Sequence, residues 1–297
     1  MSAFDLNNDQ DYNSWRDAKL DSYPKRVDQL LVEVEDINNL SASEHHALVE
    51  QCKKTNAVIY RSREPLITKN SLDDICATFG LQHLDKNLYA DDDGISALRV
   101  SPQKRQFEYI PYSDKSIKWH TDGYYNQLEH KIRAMVLHCA NPAQKGGENS
   151  LLDHEIVYIL MRDENPDYIA ALMQTDAMTI PANIEQGVEI RPAQTGPVFS
   201  IDGTSGDLHM RYTARTRSIE WKQDEMVKQA VSYLEHLLAS DMPYIYHYRL
   251  QANEGILSNN VLHGRTKFEN GSEAAEQRLM YRARYYDRIA GTSIGDH

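Results

Sequence analysis

Ile117-Lys118-Trp119-His120-Thr121-Asp122-Gly123 is the stretch on which the fold and the chemistry turn. Apolar and polar residues alternate through it, as in a strand. A period of two puts His120 and Asp122 on one face and Thr121 on the other. Gly123 ends the run, which would leave the pair at the rim of a sheet. An imidazole and a carboxylate so spaced are two thirds of a 2-His-1-carboxylate facial triad, the set that holds one face of a non-haem Fe(II) and leaves three positions open. A third ligand stands in Asn259-Asn260-Val261-Leu262-His263-Gly264-Arg265, where His263 closes an apolar strand. A plainer account is a satisfied core histidine beside an aspartate that caps a turn.

His-x-Asp alone decides little. With 12 histidines in the chain, about one such pair arises by chance at average composition. A second pair, His83-Leu84-Asp85, follows a helix signal and precedes a polar turn, and it reads as surface. The C-terminal half separates the two. Fifteen residues beyond His263 (278 − 263) comes Gln277-Arg278-Leu279-Met280-Tyr281-Arg282-Ala283-Arg284. Here Arg278, Arg282 and Arg284 share parity on a predicted strand. Arginine rarely faces a core unpaired, yet its guanidinium keeps its charge on burial and grips carboxylates bidentately. A dianionic ligand would explain the cluster. An exposed face bridged to Glu273 and Glu276 is the other account.

The bulk composition narrows the class. The chain has 297 residues, 41% hydrophobic and 26% charged, with a net charge of −12. That length and balance suit one folded domain with a sizeable core. The acidic balance argues against nucleic acid or an anionic membrane as partner, since phosphate binding needs a basic face. Cys52, Cys76 and Cys139 are an odd trio without CxxC spacing and read as reduced thiols. The first residues lack the basic and apolar segments of a signal peptide, and no apolar run reaches the roughly 18 residues of a membrane span. A cytoplasmic protein is expected.

Residues 1–94 mix strand and helix signals and read as an α/β elaboration; residues 95–297 read as a β-rich core with helical insertions, the whole forming a single domain. Strands are predicted at 30–34 and 57–60. Capping patterns at Ser41/Glu44 and Ser71/Asp74 open helices. Asp91-Asp92-Asp93-Gly94 is a solvated turn. Further strands are predicted at 97–100, 107–110, 117–122, 132–139, 177–181, 197–201, 208–212, 244–248, 255–257 and 278–286, with helices at 154–162, 167–173 and 224–238. Many short strands with a few helices fit a double-stranded β-helix, or jelly roll, flanked by helices.

These residues resemble the taurine dioxygenase-type Fe(II)/2-oxoglutarate oxygenases. The likeness runs from the His120-Thr121-Asp122 strand through Tyr286. Within that group the chain is most similar to the glutarate 2-hydroxylase branch, on three strings: Gly146-Gly147-Glu148-Asn149-Ser150-Leu151-Leu152, Pro197-Val198-Phe199-Ser200-Ile201-Asp202 leading to Met210-Arg211-Tyr212, and Asn259-Asn260 before His263-Gly264-Arg265. The resemblance implies a jelly roll, ferrous iron held by His120, Asp122 and His263, and 2-oxoglutarate and O2 as co-substrates. It implies that Arg278 takes the distal carboxylate of 2-oxoglutarate, with Arg282 or Arg284 near the co-substrate or the prime substrate. Asn149 stands where taurine-type members place a threonine that bonds 2-oxoglutarate; an amide also donates. Arg211 and Tyr212 are candidates for a substrate carboxylate, though Arg211 serves equally as an internal salt bridge. Tyr112, Tyr124 and Tyr125 flank the metal strand, and His138 and His247 read as core or surface. The retained Asp122 favours hydroxylation of a small carboxylate or amino acid over chlorination. Relatives commonly self-associate, so a homo-oligomer is possible on this likeness. A jelly roll holding zinc for hydrolysis or isomerisation, or a non-catalytic binding protein, are the competing classes.

Overall fold

The structure is a computed structural model that describes residues 3–21, 23–86, 94–100, 110–215, 219–273 and 276–295. Two sheets form its centre. The larger has the strand order Leu31–Asp36, Ala57–Glu64, Glu254–Ser258, Ala134–Asn141, Leu279–Tyr285, Ser96–Leu98. The smaller runs Tyr246–Tyr248, Asn149–Leu152, Leu262–Arg265, Ile117–His120. Within these two sheets the pairing is antiparallel, except for the parallel edge between Leu31–Asp36 and Ala57–Glu64.

Strand alternation explains why the two sheets pack as they do. On the larger sheet, Ile59, Leu137, Ile256 and Met280 meet Leu151 and Tyr246 of the smaller one in a shared inner core. The intervening Val58, Val136, Leu257 and Ala283 face outward, where Leu48, Cys52 and Leu72 of two helices cover them. A sheet buried on both faces needs continuous apolar runs, and Ala57 to Tyr60 and Ala134 to Cys139 supply them. This is the jelly-roll core expected from the sequence.

Local signals placed most elements. Ser41 accepts the Glu44 amide and Glu44 returns the bond, which opens the helix Ala42–Thr55. Asp224 caps Glu225–Ala239 through the amides of Met226 and Val227. Ser71 is a correction. It lies inside the helix Ser71–Thr78, Asn70 takes the cap position, and the Ser71 hydroxyl pairs with Thr68 instead. The predicted strand at 107–110 and the turn at 91–93 lie outside the described residues, apart from Ile110, which opens a short 3-10 helix.

The boundary near residue 94 is no break in the sheet, because two strands of the first 94 residues extend the larger sheet at one edge. The helix Asp9–Asp21 went unpredicted, since it buries little apolar surface; only Tyr12 is buried. Polar ties hold it down, from the Tyr12 hydroxyl to Asp163 at 2.6 Å and from Lys19 Nζ to Asp153 at 2.8 Å. The hairpin Asn183–Glu185 with Val188–Arg191 was also missed; it turns at Gln186 and Gly187, both at positive φ. Cys52, Cys76 and Cys139 are buried thiols outside any disulfide, each pushed up to about 12 by burial. No helix among the described residues is long and apolar enough to cross a membrane.

Candidate metal centre

His263 and His120 are direct cross-strand partners on neighbouring strands of the smaller sheet. Their rings lie 4.2 Å apart, centre to centre. Asp122 follows two residues after His120, and one ligand atom from each of the three residues lies within 4.8 Å of the others. A single ion with bonds of about 2.0–2.2 Å needs only a small inward movement of these side chains.

The hydrogen bonds orient each ligand. His120 Nδ1–H donates to the carbonyls of Lys118 at 3.0 Å and His263 at 3.1 Å, and His263 Nδ1–H donates to Val261 at 2.9 Å. With Nδ1 so engaged, Nε2 of each ring is left for a metal. Asp122 Oδ2 is buried without a hydrogen-bond partner among the described residues, an expensive state for a carboxylate oxygen that a cation would relieve. Burial, then the neighbouring His263, pushes His120 down to about 3, and burial lowers His263 as well. Both imidazoles are therefore neutral, the form that ligates. Burial by itself would raise Asp122, but Arg282, Arg284 and the two histidines outweigh it and hold the carboxyl below its usual range. Two neutral imidazoles and one ionised carboxylate are the donor set of a ferrous facial triad.

The backbone under Asp122 is held by Asn260. Its Oδ1 accepts the Asp122 amide at 2.8 Å, while Nδ2 donates to the carbonyls of Asp122 at 3.0 Å and Ile132 at 2.7 Å. Thr121 points away as expected, its hydroxyl accepting the Tyr212 amide. Gly123 sits at φ +68, and a Cβ there would come within 2.4 Å of the Ile132 side chain, so the chain leaves the site by a turn only glycine makes comfortably. Asn260→Ala removes three buried bonds and leaves an alanine at φ 53. It should lower stability by about 3–5 kcal/mol, read from urea unfolding. Asn260→Gly should recover only about 1 kcal/mol of that loss.

The arginines divide into two groups. Arg282 Nη1 donates to Asp122 Oδ1 at 3.3 Å, and Arg284 Nη1 lies 3.7 Å from the same oxygen. Arg278 stands apart, beyond a slip in register between Leu279 and Met280. It is 4% exposed, stacks on Phe268 and has no carboxylate in ion-pairing reach among the described residues. Arg265 stacks on Phe268 too. Burial pushes Arg278 down to about 10, and burial with Arg278 nearby pushes Arg265 down to about 9. Glu273 and Glu276 bind neither Arg282 nor Arg284, so the exposed-face account fails. Arg265 escaped notice although it shares parity with His263, roughly 7 Å further along the same strand face. Asn149 is its cross-strand partner, as Leu151 is of His263, and the Asn149 amide donates to the Tyr248 carbonyl at 3.4 Å.

Of the expected substrate residues, Arg284 lies beside Asp122, while Arg211 and Tyr212 are held within the fold. Arg211 gives its guanidinium to four backbone carbonyls, those of Met178, Gln194, Gly196 and Pro197, so it serves the fold as a clamp and forms no salt bridge among the described residues. Tyr212 is 1% exposed in the inner core and braces Thr121 from behind. Arg284 is committed to Asp85 and the Tyr125 hydroxyl. Asp85 is itself a correction: His83 is exposed, but Asp85 is buried against Arg284 and the Tyr286 hydroxyl. Tyr124 lies edge-on to His120 and to Tyr125, and Tyr112 is buried. His138 is a core residue bonded to the Tyr60 hydroxyl at 3.0 Å, and His247 is exposed.

Comparison with known proteins agrees with this geometry. The family profile described as "Taurine catabolism dioxygenase TauD, TfdA family" matches residues 23–284. A uridine-5'-phosphate dioxygenase from Amycolatopsis sp is 29% identical over 174 residues, which cover 56% of this chain and 60% of that protein. One from Streptomyces sp is 28% identical over 116 residues, 38% of this chain and 39% of that protein. The matched stretch thus spans three fifths or less of these curated relatives. Among solved structures, asparagine oxygenase in complex with Fe(II), 2S,3S-3-hydroxyasparagine and succinate superposes with a TM-score of 0.58 at 14% identity, covering 83% of this chain and 80% of that one. Non-heme iron oxygenase OrfP in complex with Fe and alpha-ketoglutaric acid gives 0.59 at 14% identity, over 84% and 81%. At such identity these likenesses establish the fold.

Proposed function

Because the chain belongs to the taurine catabolism dioxygenase TauD, TfdA family, we propose that it is an Fe(II)- and 2-oxoglutarate-dependent dioxygenase that hydroxylates an unactivated C–H bond of a small anionic molecule. The observation that carries this is the convergence of His120, Asp122 and His263 around a buried carboxylate oxygen that no donor among the described residues satisfies. When bound, ferrous iron with 2-oxoglutarate and O2 supplies oxidation of the C–H bond, coupled to decarboxylation of 2-oxoglutarate to succinate and CO2.

The chain's own residues do the rest. Arg278 takes the distal carboxylate of 2-oxoglutarate, and Arg265 on the other contact of Phe268 adds a second positive charge at that end. Asn149, paired with Arg265, offers its amide to the same ligand. Arg282, whose Nε is buried without a partner among the described residues, faces the prime substrate, and Tyr124 stands edge-on to His120. A zinc hydrolase built on the same three ligands has no use for two buried guanidiniums at Arg265 and Arg278.

The prime substrate is a small carboxylate, an amino acid or a phosphate ester. Uridine-5'-phosphate enters through the names of the curated relatives, and glutarate through the motif likeness. The test is succinate release by the iron-loaded protein across uridine-5'-phosphate, glutarate and the amino acids. Release above the substrate-free rate with at least one supports the proposal. A protein that binds neither Fe(II) nor 2-oxoglutarate would refute it.

A further inference from the structure

Asp85 comes from the N-terminal third, far from the metal ligands in sequence, yet it reaches their surroundings. Its amide donates to the Arg284 carbonyl at 2.8 Å, and Leu84 bridges to Tyr285, so this segment runs beside the end of Leu279–Tyr285. The Asp85 carboxylate binds Arg284 Nη2 through Oδ2 and accepts the Tyr286 hydroxyl at 2.6 Å through Oδ1. Arg284 is 2% exposed; its Nη1 donates to the Tyr125 hydroxyl at 3.0 Å and stays 3.7 Å from Asp122. Two guanidiniums therefore flank Asp122 Oδ1, and among the described residues two carboxylates, Asp122 and Asp85, answer them.

We propose that Asp85 is a positioning residue for the metal centre: it holds Arg284 back from Asp122, so that the metal carboxylate keeps its free oxygen for a divalent cation. This rests on the iron-site assignment above. The physical argument is one of competition. A guanidinium buried this deeply needs a carboxylate. Without Asp85, the acid nearest Arg284 among the described residues is Asp122, and the planar fork of arginine closes on a carboxylate through both oxygens. That movement would cover the very oxygen the metal requires. It would also set an uncompensated positive charge against the incoming ion, in a place where water screens little.

The test is Mn(II) affinity, measured by titration calorimetry on the full-length metal-free protein without 2-oxoglutarate or substrate. Asp85→Asn should weaken Mn(II) binding by roughly 10–100-fold, the usual cost of losing a group that supports a metal ligand. Arg284→Gln should bind at least as tightly as the wild type. The double variant Asp85→Asn/Arg284→Gln has no unpaired buried charge here, so it should fold and return to within about twofold of Arg284→Gln. A merely structural Asp85 predicts no such recovery, because its hydrogen bonds stay lost. Unchanged affinity in Asp85→Asn overturns the proposal, as does a double variant that stays weak or unfolded. A wild-type protein that takes up no Mn(II) strikes instead at the iron-site assignment beneath it.

Discussion

His120→Ala should leave a folded protein that no longer retains ferrous iron. The backbone of His120 pairs with His263 on one side and with Thr213 on the other, and none of that depends on the imidazole. The ring is half-buried and neutral, pushed down to about 3, so its removal relieves a desolvation cost along with losing contacts. The metal has no such substitute. Loss of a supporting residue typically costs 10–100-fold in affinity, and loss of one of only three protein ligands should exceed about 100-fold. The anaerobic protein with Fe(II) and 2-oxoglutarate should show a weak visible charge-transfer band that His120→Ala lacks. Equal iron retention in the two proteins would mean that the metal sits elsewhere.

Arg278→Ala should spare iron binding and strike the co-substrate. Truncating one partner of a buried charge pair costs about 2–5 kcal/mol, and every 1.4 kcal/mol is tenfold. The KM for 2-oxoglutarate should therefore rise by roughly 30-fold to 3,000-fold, with the metal affinity unchanged. Arg278→Lys should restore only part of this, since a point charge lacks the planar fork. A second readout is independent of turnover. Arg278 is buried with no carboxylate in ion-pairing reach among the described residues, so in the ligand-free protein it is a cost. Arg278→Met should raise the melting temperature of the ligand-free protein and abolish the stabilisation that 2-oxoglutarate confers. An unaltered KM in Arg278→Ala would assign the distal carboxylate to Arg265.

The residues whose surroundings the sequence left open share a cause. Arg211 and Arg282 look alike in sequence, each one of several arginines on a short strand. Arg211 is encircled by four carbonyls from residues 178–197, and Arg282 faces the metal carboxylate. Nothing local distinguishes a guanidinium spent on backbone from one held for a ligand. Asp85 was read as surface because its neighbours are polar, yet the distant Arg284 buries it. Arg265 was legible in principle through its parity with His263, but a single arginine after His-Gly carries no sign of a stacked partner such as Phe268.

By itself the sequence determined what depends on neighbours a few residues apart. It set the strand that ends at His120 with Asp122 two residues on, the helix capped by Ser41 and the apolar central strands, because bond geometry and side-chain periodicity act over that range. Tertiary structure decided which strands became neighbours. It set His263 opposite His120 across a separation of 143 residues, gave Asn260 the backbone beneath Asp122, and parted Arg278 from Arg282 and Arg284. Those outcomes depend on which apolar faces are buried together, and that is a property of the whole packed chain.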